Sequence, residues 1–332
     1  MAFVVVSFNT KNTKVFHKEH NESPMNKIIA LFLTAVVALT ATSCTTDSST
    51  QSIDATQSVD RAGNPITLPK KFDRIISVGP SNTEILIALG FADQIVAADT
   101  YSRGIEGLAT DIPFFNMLAP DGEQIIQWDP DVIIVTGMSK AGGADPFKAV
   151  SDVGICVIYI PTSVNIADIQ EDIRFIAEVM GTVEKGNAII ADMDQTIAAV
   201  AKIGKTITDK KTVYFEIDVA PLLYSFGKNV FLNEMLEIIG AVNILGERDQ
   251  WVAVTGEEIL DRNPDVILTS VSYIDKPVEA ITSRPGWDSL TAVQNGDVYY
   301  LDADRSSRPS HRVVEILPEM AKAIYPDKYN EN

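Results

Sequence analysis

Few side chains in this sequence could hold a metal ion or act as a nucleophile. After residue 44 the chain contains one histidine, His311, and one cysteine, Cys156. A zinc site needs several clustered His or Cys ligands, so the sequence argues against a zinc centre and against paired-histidine haem ligation. Cys156 stands in an apolar run where a small buried hydrophobe is the usual interpretation, and His311 stands where a helix is expected to begin.

The sequence also lacks the patterns that mark common catalytic sites. It has no Gly-x-Ser-x-Gly motif, no phosphate-binding loop and no dinucleotide fingerprint. Asp302 and Asp304 are two carboxylates that a glycosidase could use, but nothing sets them at the required separation, and the end of a strand is the simpler interpretation. We expect no resident cofactor and no catalysis, with an extracytoplasmic enzyme on an α/β scaffold as the alternative.

Four cations stand out against an acidic chain whose formal net charge is -18. Such a surface repels nucleic acid and anionic lipid, so no nucleic-acid partner is expected. Arginine and lysine could instead contact an anionic ligand, although a salt bridge is an equally good interpretation of each. These candidates are Arg103, Lys140, Arg305 and Arg308.

Strand-like and helix-like segments alternate along the chain, which predicts parallel sheets flanked by helices. A helical region from Ile166 to about Ile203, broken near Gly181, divides two alternating series. Ser81 and Glu84 predict a capping box for a helix that ends at Leu89. Strands are predicted over 74–78, 94–98, 131–136, 156–160, 212–217, 265–270 and 298–301, and further helices over 146–153, 231–239 and 311–323.

An internal repeat supports two lobes built alike. Residues 122–137 and 256–271 share seven of 16 positions. Each copy predicts a short capped helix followed by a central strand. Glu123 and Glu257 occupy the second helical position of each copy, where an acid is favoured by the helix dipole. The symmetry also allows the two acids to form a two-point docking surface.

Ligands of open parallel sheets bind beyond the carboxyl ends of the strands. Aromatic rings there offer flat apolar area, and arginines offer fixed donors. The candidate ligand-binding residues are Asn82, Tyr101, Arg103, Met138, Lys140, Phe226, Trp251, Tyr273, Arg305 and Arg308.

The first 58 residues are interpreted as targeting segments. A basic start, an apolar run from Ile28 to Leu39 and small residues before Cys44 are typical of a secretory signal, and the run is too short to span a membrane. A cysteine directly after small residues resembles a bacterial lipobox, which implies cleavage before Cys44 and lipidation of its sulfur. The predicted segments are an upstream extension 1–24, a signal peptide 25–43, a flexible tether 44–58, an N-terminal lobe 59–165, a connecting helical segment 166–210 and a C-terminal lobe 211–329.

Several stretches, in this order, resemble the ferric-siderophore and cobalamin class of ABC transporter substrate-binding proteins. They are residues 72–90, 214–217, 225–229, 233–244, 284–287 and 307–309. The resemblance implies an α/β protein with two Rossmann-like lobes joined by a single long helix, the class III periplasmic-binding-protein fold. It also implies a ligand in the cleft and only a small hinge motion.

The resemblance implies an exported, lipid-anchored protein that captures an iron chelate of the siderophore type. It would deliver this ligand to an ABC importer, a permease dimer with its ATPase subunits. Cobalamin or another corrinoid, and haem, are the alternative ligands. In this class an acidic residue on each lobe meets arginines of the permease, and the matching positions are Glu123 and Glu257. We expect a monomer that touches the membrane only through its lipid.

Overall fold

The computed structural model describes residues 56–140, 143–219 and 222–329. The predicted upstream extension, the signal peptide and the lipidation site Cys44 lie outside these residues. The first strand begins at Thr56. Residues 56–58, predicted as the end of the tether, therefore belong to the folded body, because they pair with residues 66–68 in an antiparallel hairpin.

The N-terminal lobe is a parallel sheet of five strands in the order β5-β4-β3-β6-β7, preceded by the hairpin β1-β2. Helices connect the strands and cover both faces. The elements are β1 (Thr56–Val59), β2 (Pro65–Leu68), β3 (Ile75–Val78), α1 (Pro80–Leu89), β4 (Ile95–Asp99), β5 (Phe114–Phe115), α2 (Gly122–Gln127), β6 (Val132–Thr136), α3 (Lys148–Asp152) and β7 (Cys156–Ile160).

Two long helices, α4 (Ile166–Val179) and α5 (Val183–Gly204), lead to a second parallel sheet with the order β10-β8-β12-β13. A separate antiparallel pair, β9 and β11, had not been predicted, nor had several short helices. The elements are β8 (Thr212–Glu216), β9 (Leu223–Phe226), α6 (Phe231–Ile239), β10 (Val242–Asn243), β11 (Trp251–Val254), α7 (Gly256–Arg262), β12 (Val266–Thr269), α8 (Pro277–Thr282), α9 (Thr291–Asn295), β13 (Val298–Tyr300), α10 (Ala303–Ser307), α11 (Leu317–Ile324) and α12 (Pro326–Tyr329).

The central strands are apolar on both faces, as buried parallel strands usually are. In β6, Val132 and Ile134 join a large core that includes residues of both sheets and of α4 and α5. Ile133 and Val135 point the other way, into a smaller core of the N-terminal lobe alone. Strand β12 alternates likewise between the large core and one confined to the C-terminal lobe. One continuous core therefore joins the lobes on a single side, which favours a stiff connection.

The end of α5 lies against the end of α6 with the two backbones in contact. A Cβ atom on Gly204 would lie 2.1 Å from the carbonyl oxygen of Ile238. Gly240 ends α6 with φ at 90°, a conformation that favours glycine. The connecting helix is thus fixed to the C-terminal lobe at a position where no side chain fits.

The internal repeat is confirmed as the units α2-β6 and α7-β12, and each places its strand in the interior of a sheet. The repeat contains an aspartate whose role the sequence did not reveal. Asp131 accepts hydrogen bonds from the backbone N–H groups of Asp73 and Arg74, at 2.8 and 3.0 Å. Asp265 accepts one from the backbone N–H of Thr212 at 2.8 Å. Each aspartate therefore joins the start of its own strand to the start of the neighbouring one.

Two helix predictions need correction. The predicted closing helix 311–323 is a 3-10 turn over His311–Val314 followed by α11, because Pro318 has no N–H to continue an α-helix. The predicted capping box of Ser81 and Glu84 does not form. Helix α1 begins at Pro80 after Gly79, a usual place for proline, and no side chain caps it.

None of the helices in the described parts of the chain is long and apolar enough to cross a membrane.

Candidate functional site

Three exposed hydrophobic side chains lie at or near strand ends, where a ligand was predicted. Trp251 is 37% exposed, Tyr273 is 46% exposed and Met138 is 38% exposed. Phe226, predicted as a ligand contact, is fully buried. It lies opposite Trp251 across β9 and β11, with the two ring centroids 6.2 Å apart in an edge-to-face arrangement. Phe226 therefore supports the Trp251 ring and does not present its own.

Tyr273 is fixed by its hydroxyl group. That hydroxyl donates a hydrogen bond to the buried carboxylate of Asp218 and accepts one from the backbone N–H of Val219 at 3.2 Å. The backbones of Tyr224 and Asp218 form an isolated antiparallel β-bridge. The C-terminal lobe thus presents Trp251 and Tyr273 as positioned aromatic rings.

The loop after β4 is organised by a carboxylate that the sequence analysis did not single out. Asp99 is fully buried and accepts hydrogen bonds from the backbone N–H groups of Gly79 and Tyr101 and from the hydroxyl of Ser102, at 2.7 to 2.8 Å. Burial raises the pKa of Asp99, although these hydrogen bonds oppose the effect. Asp99 holds the ends of β3 and β4 together and sets the position of Tyr101. The predicted contact Asn82 is also buried, and its amide donates to the carbonyl of Val78 at 2.9 Å.

Two of the four predicted anion contacts, both on the N-terminal lobe, already have partners. The guanidinium of Arg103 lies 4.1 Å from the centre of the Phe114 ring. The ammonium of Lys140 lies 3.2 Å from the carboxylate of Asp145 and 3.5 Å from the centre of the Tyr159 ring. A ligand carboxylate would have to compete with these contacts.

The other two predicted contacts, on the C-terminal lobe, are paired more closely. Arg305 forms two hydrogen bonds to Glu319, at 2.6 and 3.2 Å. Arg308 is 6% exposed and lies 2.6 Å from Asp304.

Asp302 caps α10 by accepting the backbone N–H of Arg305 at 2.9 Å. Asp302 and Asp304 both have structural partners, so the structure lends no support to a catalytic pair.

Glu84 joins the two lobes. This residue of α1 is 3% exposed, and its carboxylate receives the guanidinium groups of Arg308 at 2.9 Å and Arg312 at 3.3 Å. The Ser310 hydroxyl donates to its second oxygen. All three partners precede α11 of the C-terminal lobe. A buried carboxylate is stable only when charges and hydrogen bonds compensate it, and here both come from the other lobe.

A cavity of about 450 Å³ lies beside this contact. We name it the lobe-junction cavity. Its wall comes from α1, the loop 105–107 and the turn before α11: Glu84, Ile87, Ala88, Ile105, Glu106, Gly107, His311, Arg312 and Glu315. Burial, with a contribution from Arg312, lowers the pKa of His311 to about 4, so the ring is neutral near pH 7. The Nδ1 atom of His311 is buried and has no hydrogen-bond partner among the described residues.

Glu123 and Glu257 are exposed and occupy equivalent positions, one on each lobe. Asp121 accepts the backbone N–H groups of Glu123 and Gln124, and Thr255 accepts that of Glu258. Both acids therefore project from the first turns of capped helices, as the repeat predicted.

Across residues 56–140, 143–219 and 222–329, no group of three or more His, Cys, Asp or Glu side chains could hold a metal ion.

Comparisons with known proteins agree with this architecture. Residues 75–305 match the family model described as "Periplasmic binding protein". The chain is 32% identical to an ABC transporter substrate-binding lipoprotein of Bacillus subtilis, over 82% of this chain and 86% of that protein. It is 22% identical to a cobalamin-binding protein of Halobacterium salinarum, over 80% and 73% of the two chains. The crystal structure of a possible iron-binding periplasmic solute-binding protein of Staphylococcus epidermidis covers 77% of this chain and all of its own, with a TM-score of 0.68 and 28% identity.

Replacing Glu84 by Gln tests the contact between the lobes. The change leaves the buried Arg308 and the partly exposed Arg312 beside a neutral amide, so we expect the free energy of unfolding to fall by about 3 kcal/mol. Urea unfolding of the purified protein measures this. The matched control is Glu319→Gln, which removes a half-exposed partner of Arg305 and should cost less than about 1 kcal/mol. Equal losses of unfolding free energy in the two variants would show that the Glu84 contact stabilises the protein no more than an exposed ion pair does.

Proposed function

The chain belongs to the periplasmic binding protein family, and we propose that the ligand it carries is a corrinoid. It is the substrate-binding component of an ABC transporter, and it works outside the cytoplasm with a membrane permease and an ATPase. The family binds solutes and does not consist of enzymes. The contacts of the candidate site residues support one class of ligand over the others.

The observation that carries the proposal is that three of the four candidate cations already pair with carboxylates, and the fourth, Arg103, lies against an aromatic ring. Arg103 and Lys140 lie against aromatic rings, and Lys140 also pairs with a carboxylate. Arg305 and Arg308 pair with carboxylates. Cations that the sequence offered as contacts for an anionic chelate are therefore less able to bind one. A corrinoid is a large flat macrocycle bordered by amides, and its recognition does not depend on free cations.

The exposed aromatic side chains support the same choice. Trp251 and Tyr273 are held in place by Phe226 and Asp218. Positioned rings bind flat apolar ligands with little loss of side-chain entropy. The curated relative from Halobacterium salinarum is named for cobalamin binding. Haem would also stack on such rings, but its propionates call for cations, and three of the four candidates are paired with carboxylates here.

A ferric chelate is the second candidate. It is favoured by the likeness to the Staphylococcus epidermidis protein, whose structure is described as possibly iron-binding. A ferric siderophore could meet Arg103 without breaking an ion pair, but it would reach Arg305 or Lys140 only if that residue left its present partner. The two candidates therefore differ in how far binding depends on these cations.

Two further proposals concern the partners. Cys44 carries a lipid that attaches the chain to the membrane, since small residues precede it as in a lipobox. Glu123 and Glu257 contact basic residues of the permease, one from each lobe. Support for this second proposal comes from their exposure, their equivalent positions and the first-turn geometry described above. The protein acts as a monomer in this arrangement.

Calorimetric titration with cyanocobalamin, cobinamide, ferric citrate, a ferric hydroxamate and haemin tests the choice of ligand. We expect saturable binding of a corrinoid at one site, and Trp251→Ala should weaken it by roughly tenfold, because ring stacking and buried area are lost. Val242→Ala is the matched control. Val242 is 43% exposed on the same lobe, but it lies at the amino end of the sheet. Binding of a ferric chelate without a corrinoid would instead establish the second candidate.

Charge reversal tests the docking proposal. The double variant Glu123→Lys, Glu257→Lys should abolish ligand-dependent stimulation of the ATPase in the reconstituted importer, and each single variant should reduce it, because an attractive contact becomes repulsive. Ligand affinity should not change. Glu178→Lys reverses an exposed acid of α4 and serves as the control. If the double variant stimulates the ATPase normally, these acids do not contact the permease.

A further inference from the structure

Six lysines lie at the end of the C-terminal lobe where its parallel strands begin. They come from the last turn of α5, from the segment before β8 and from the two last helices, and all but Lys211 are exposed. We name them the lysine patch: Lys202, Lys205, Lys210, Lys211, Lys322 and Lys328.

Two buried tyrosines at the ends of α11 and α12 bring these segments together. The hydroxyl of Tyr325 accepts a hydrogen bond from the backbone N–H of Lys211 at 2.8 Å. The hydroxyl of Tyr329 lies 2.9 Å from the carbonyl oxygen of Ile239 and 3.2 Å from that of Val200 in α5. The lysines of the patch are therefore on neighbouring segments, although they lie up to 126 residues apart along the chain.

Lys202 and Lys205 project from the side of α5 that faces away from the lobe. Val200 and Gly204 are buried, and Gly204 lies directly against α6. Because a helix turns by 3.6 residues, Lys202 stands opposite both of these buried positions, and Lys205 is on the same face as Lys202. Asp194, the nearest acid of α5, precedes Lys202 by more than two turns, about 12 Å along the helix axis.

Most of these ammonium groups have no ion-pair partner. In the parts of the chain that the structure describes, Lys211 is the one member of the patch that forms an ion pair, 3.8 Å from the carboxylate of Asp297. Lysines elsewhere are more often paired with carboxylates, as are Lys71, Lys140, Lys148 and Lys276. The patch thus leaves its positive charges available to an external partner.

The balance of charge at this end differs from that of the whole chain. Asp209 and Asp327 are exposed beside the lysines, whereas Asp265, Asp297 and Glu237 are hydrogen-bonded within the protein. The whole chain has 45 acidic and 27 basic residues, but here six lysines stand beside five carboxylates. Charges farther away than the Debye length, about 10 Å at 0.1 M salt, are largely screened. The acidic surface elsewhere therefore does not prevent the patch from attracting anions.

The chain enters its folded body at the strand starts of the N-terminal lobe. Thr56 pairs with Leu68, which is followed after a short segment by the start of β3 at Ile75. The turn at the other end of this hairpin lies near the carboxyl end of β7, because Asp60 accepts the backbone N–H of Tyr159 at 3.0 Å. Thr56 is therefore at the strand-start end of its lobe.

Helix α5 connects the strand starts of the two lobes. The ammonium group of Lys185 near its beginning donates to the carbonyl of Leu89 at the end of α1, at 3.1 Å, and Gly204 at its end lies against the end of α6. Both α1 and α6 end shortly before a parallel strand begins. Glu123 and Glu257 stand in the first turns of helices that run toward strand starts, and so lie at the opposite end.

We propose that the lysine patch binds the headgroups of anionic lipids while the protein is not docked on its permease. This rests on the proposed lipid at Cys44. Residues 45–55 span at most about 40 Å between that anchor and Thr56, which is at the same end of the molecule as the patch. Lysines close to an anionic membrane surface each add to the affinity. In this orientation Glu123 and Glu257 face away from the membrane, so lipid and permease compete for the protein.

Cosedimentation with vesicles tests the proposal. The probe protein is the mature chain, residues 44–332, carrying Cys44→Ser, so that no lipid anchor contributes. We expect it to sediment with vesicles of equal parts phosphatidylglycerol and phosphatidylcholine at about 0.1 M salt, and to be released at about 1 M salt, where the Debye length is about 3 Å. Vesicles of phosphatidylcholine alone should not bind it. Absence of binding to the anionic vesicles, or equal binding to both kinds, would overturn the proposal.

Variants assign the binding to the patch. The triple variant Lys202→Gln, Lys205→Gln, Lys210→Gln should weaken binding to the anionic vesicles at least roughly tenfold. The control variant Lys148→Gln, Lys228→Gln, Lys276→Gln removes the same charge from exposed lysines outside the patch and should bind as the parent does. Equal losses in the two variants, or no loss in the first, would contradict the assignment.

Two further measurements separate this proposal from others. Binding of the protein to soluble polyphosphate without binding to anionic vesicles would show a polyanion site and overturn the choice of lipid. Mass spectrometry of the protein extracted from membranes decides whether Cys44 is lipidated. Because the vesicle assay uses protein without lipid, its outcome does not depend on that result, and cobinamide titration of the same variants reports the ligand site separately.

Discussion

The position of the two lobes depends on the buried carboxylate of Glu84. A carboxylate in such a place costs several kcal/mol unless it is compensated. Arg308, Arg312 and Ser310 supply that compensation, and all three lie 224 to 228 residues away along the chain. Opening the lobes at this point would separate charges that have little access to water. Together with the core that includes both sheets and the helices α4 and α5, this contact favours small lobe motions over large ones.

The same pairing of charges determines what the strand ends can offer a ligand. Arg308 lies between Glu84 and Asp304, so its role in joining the lobes withdraws it from ligand recognition. Arg305 is similarly held by Glu319. Aromatic rings remain exposed on the C-terminal lobe, supported by buried neighbours. A chain with a large excess of acidic residues thus uses several of its cations internally and presents apolar rings where the ligand is proposed to bind.

Local patterns in the sequence were enough to predict much of the fold. The segments 156–160 and 231–239 were predicted to the residue. The first is an apolar run shortly after Gly154, and the second is a helix-forming segment that Gly240 directly follows. The repeat correctly placed one unit in each lobe. The role of Glu84 was missed because Ser81 and Glu84 have the spacing of a capping box, and local spacing cannot show partners more than 200 residues away. Phe226 and Asn82 lie at strand ends, but whether such a residue faces a ligand or the core depends on pairing and packing that one sequence does not specify.

Double electron–electron resonance, which measures the distance between the lobes with and without ligand, tests most directly whether Glu84 and the shared core hold the lobes together. Spin labels at Val153 and Val242, exposed positions on the two lobes, would report it in a protein whose native cysteines have been replaced. We expect one narrow distance distribution that shifts by less than about 2 Å when cobinamide is added. A broad distribution without ligand, or a shift of many ångströms, would show that Glu84 and the shared core do not hold the lobes together.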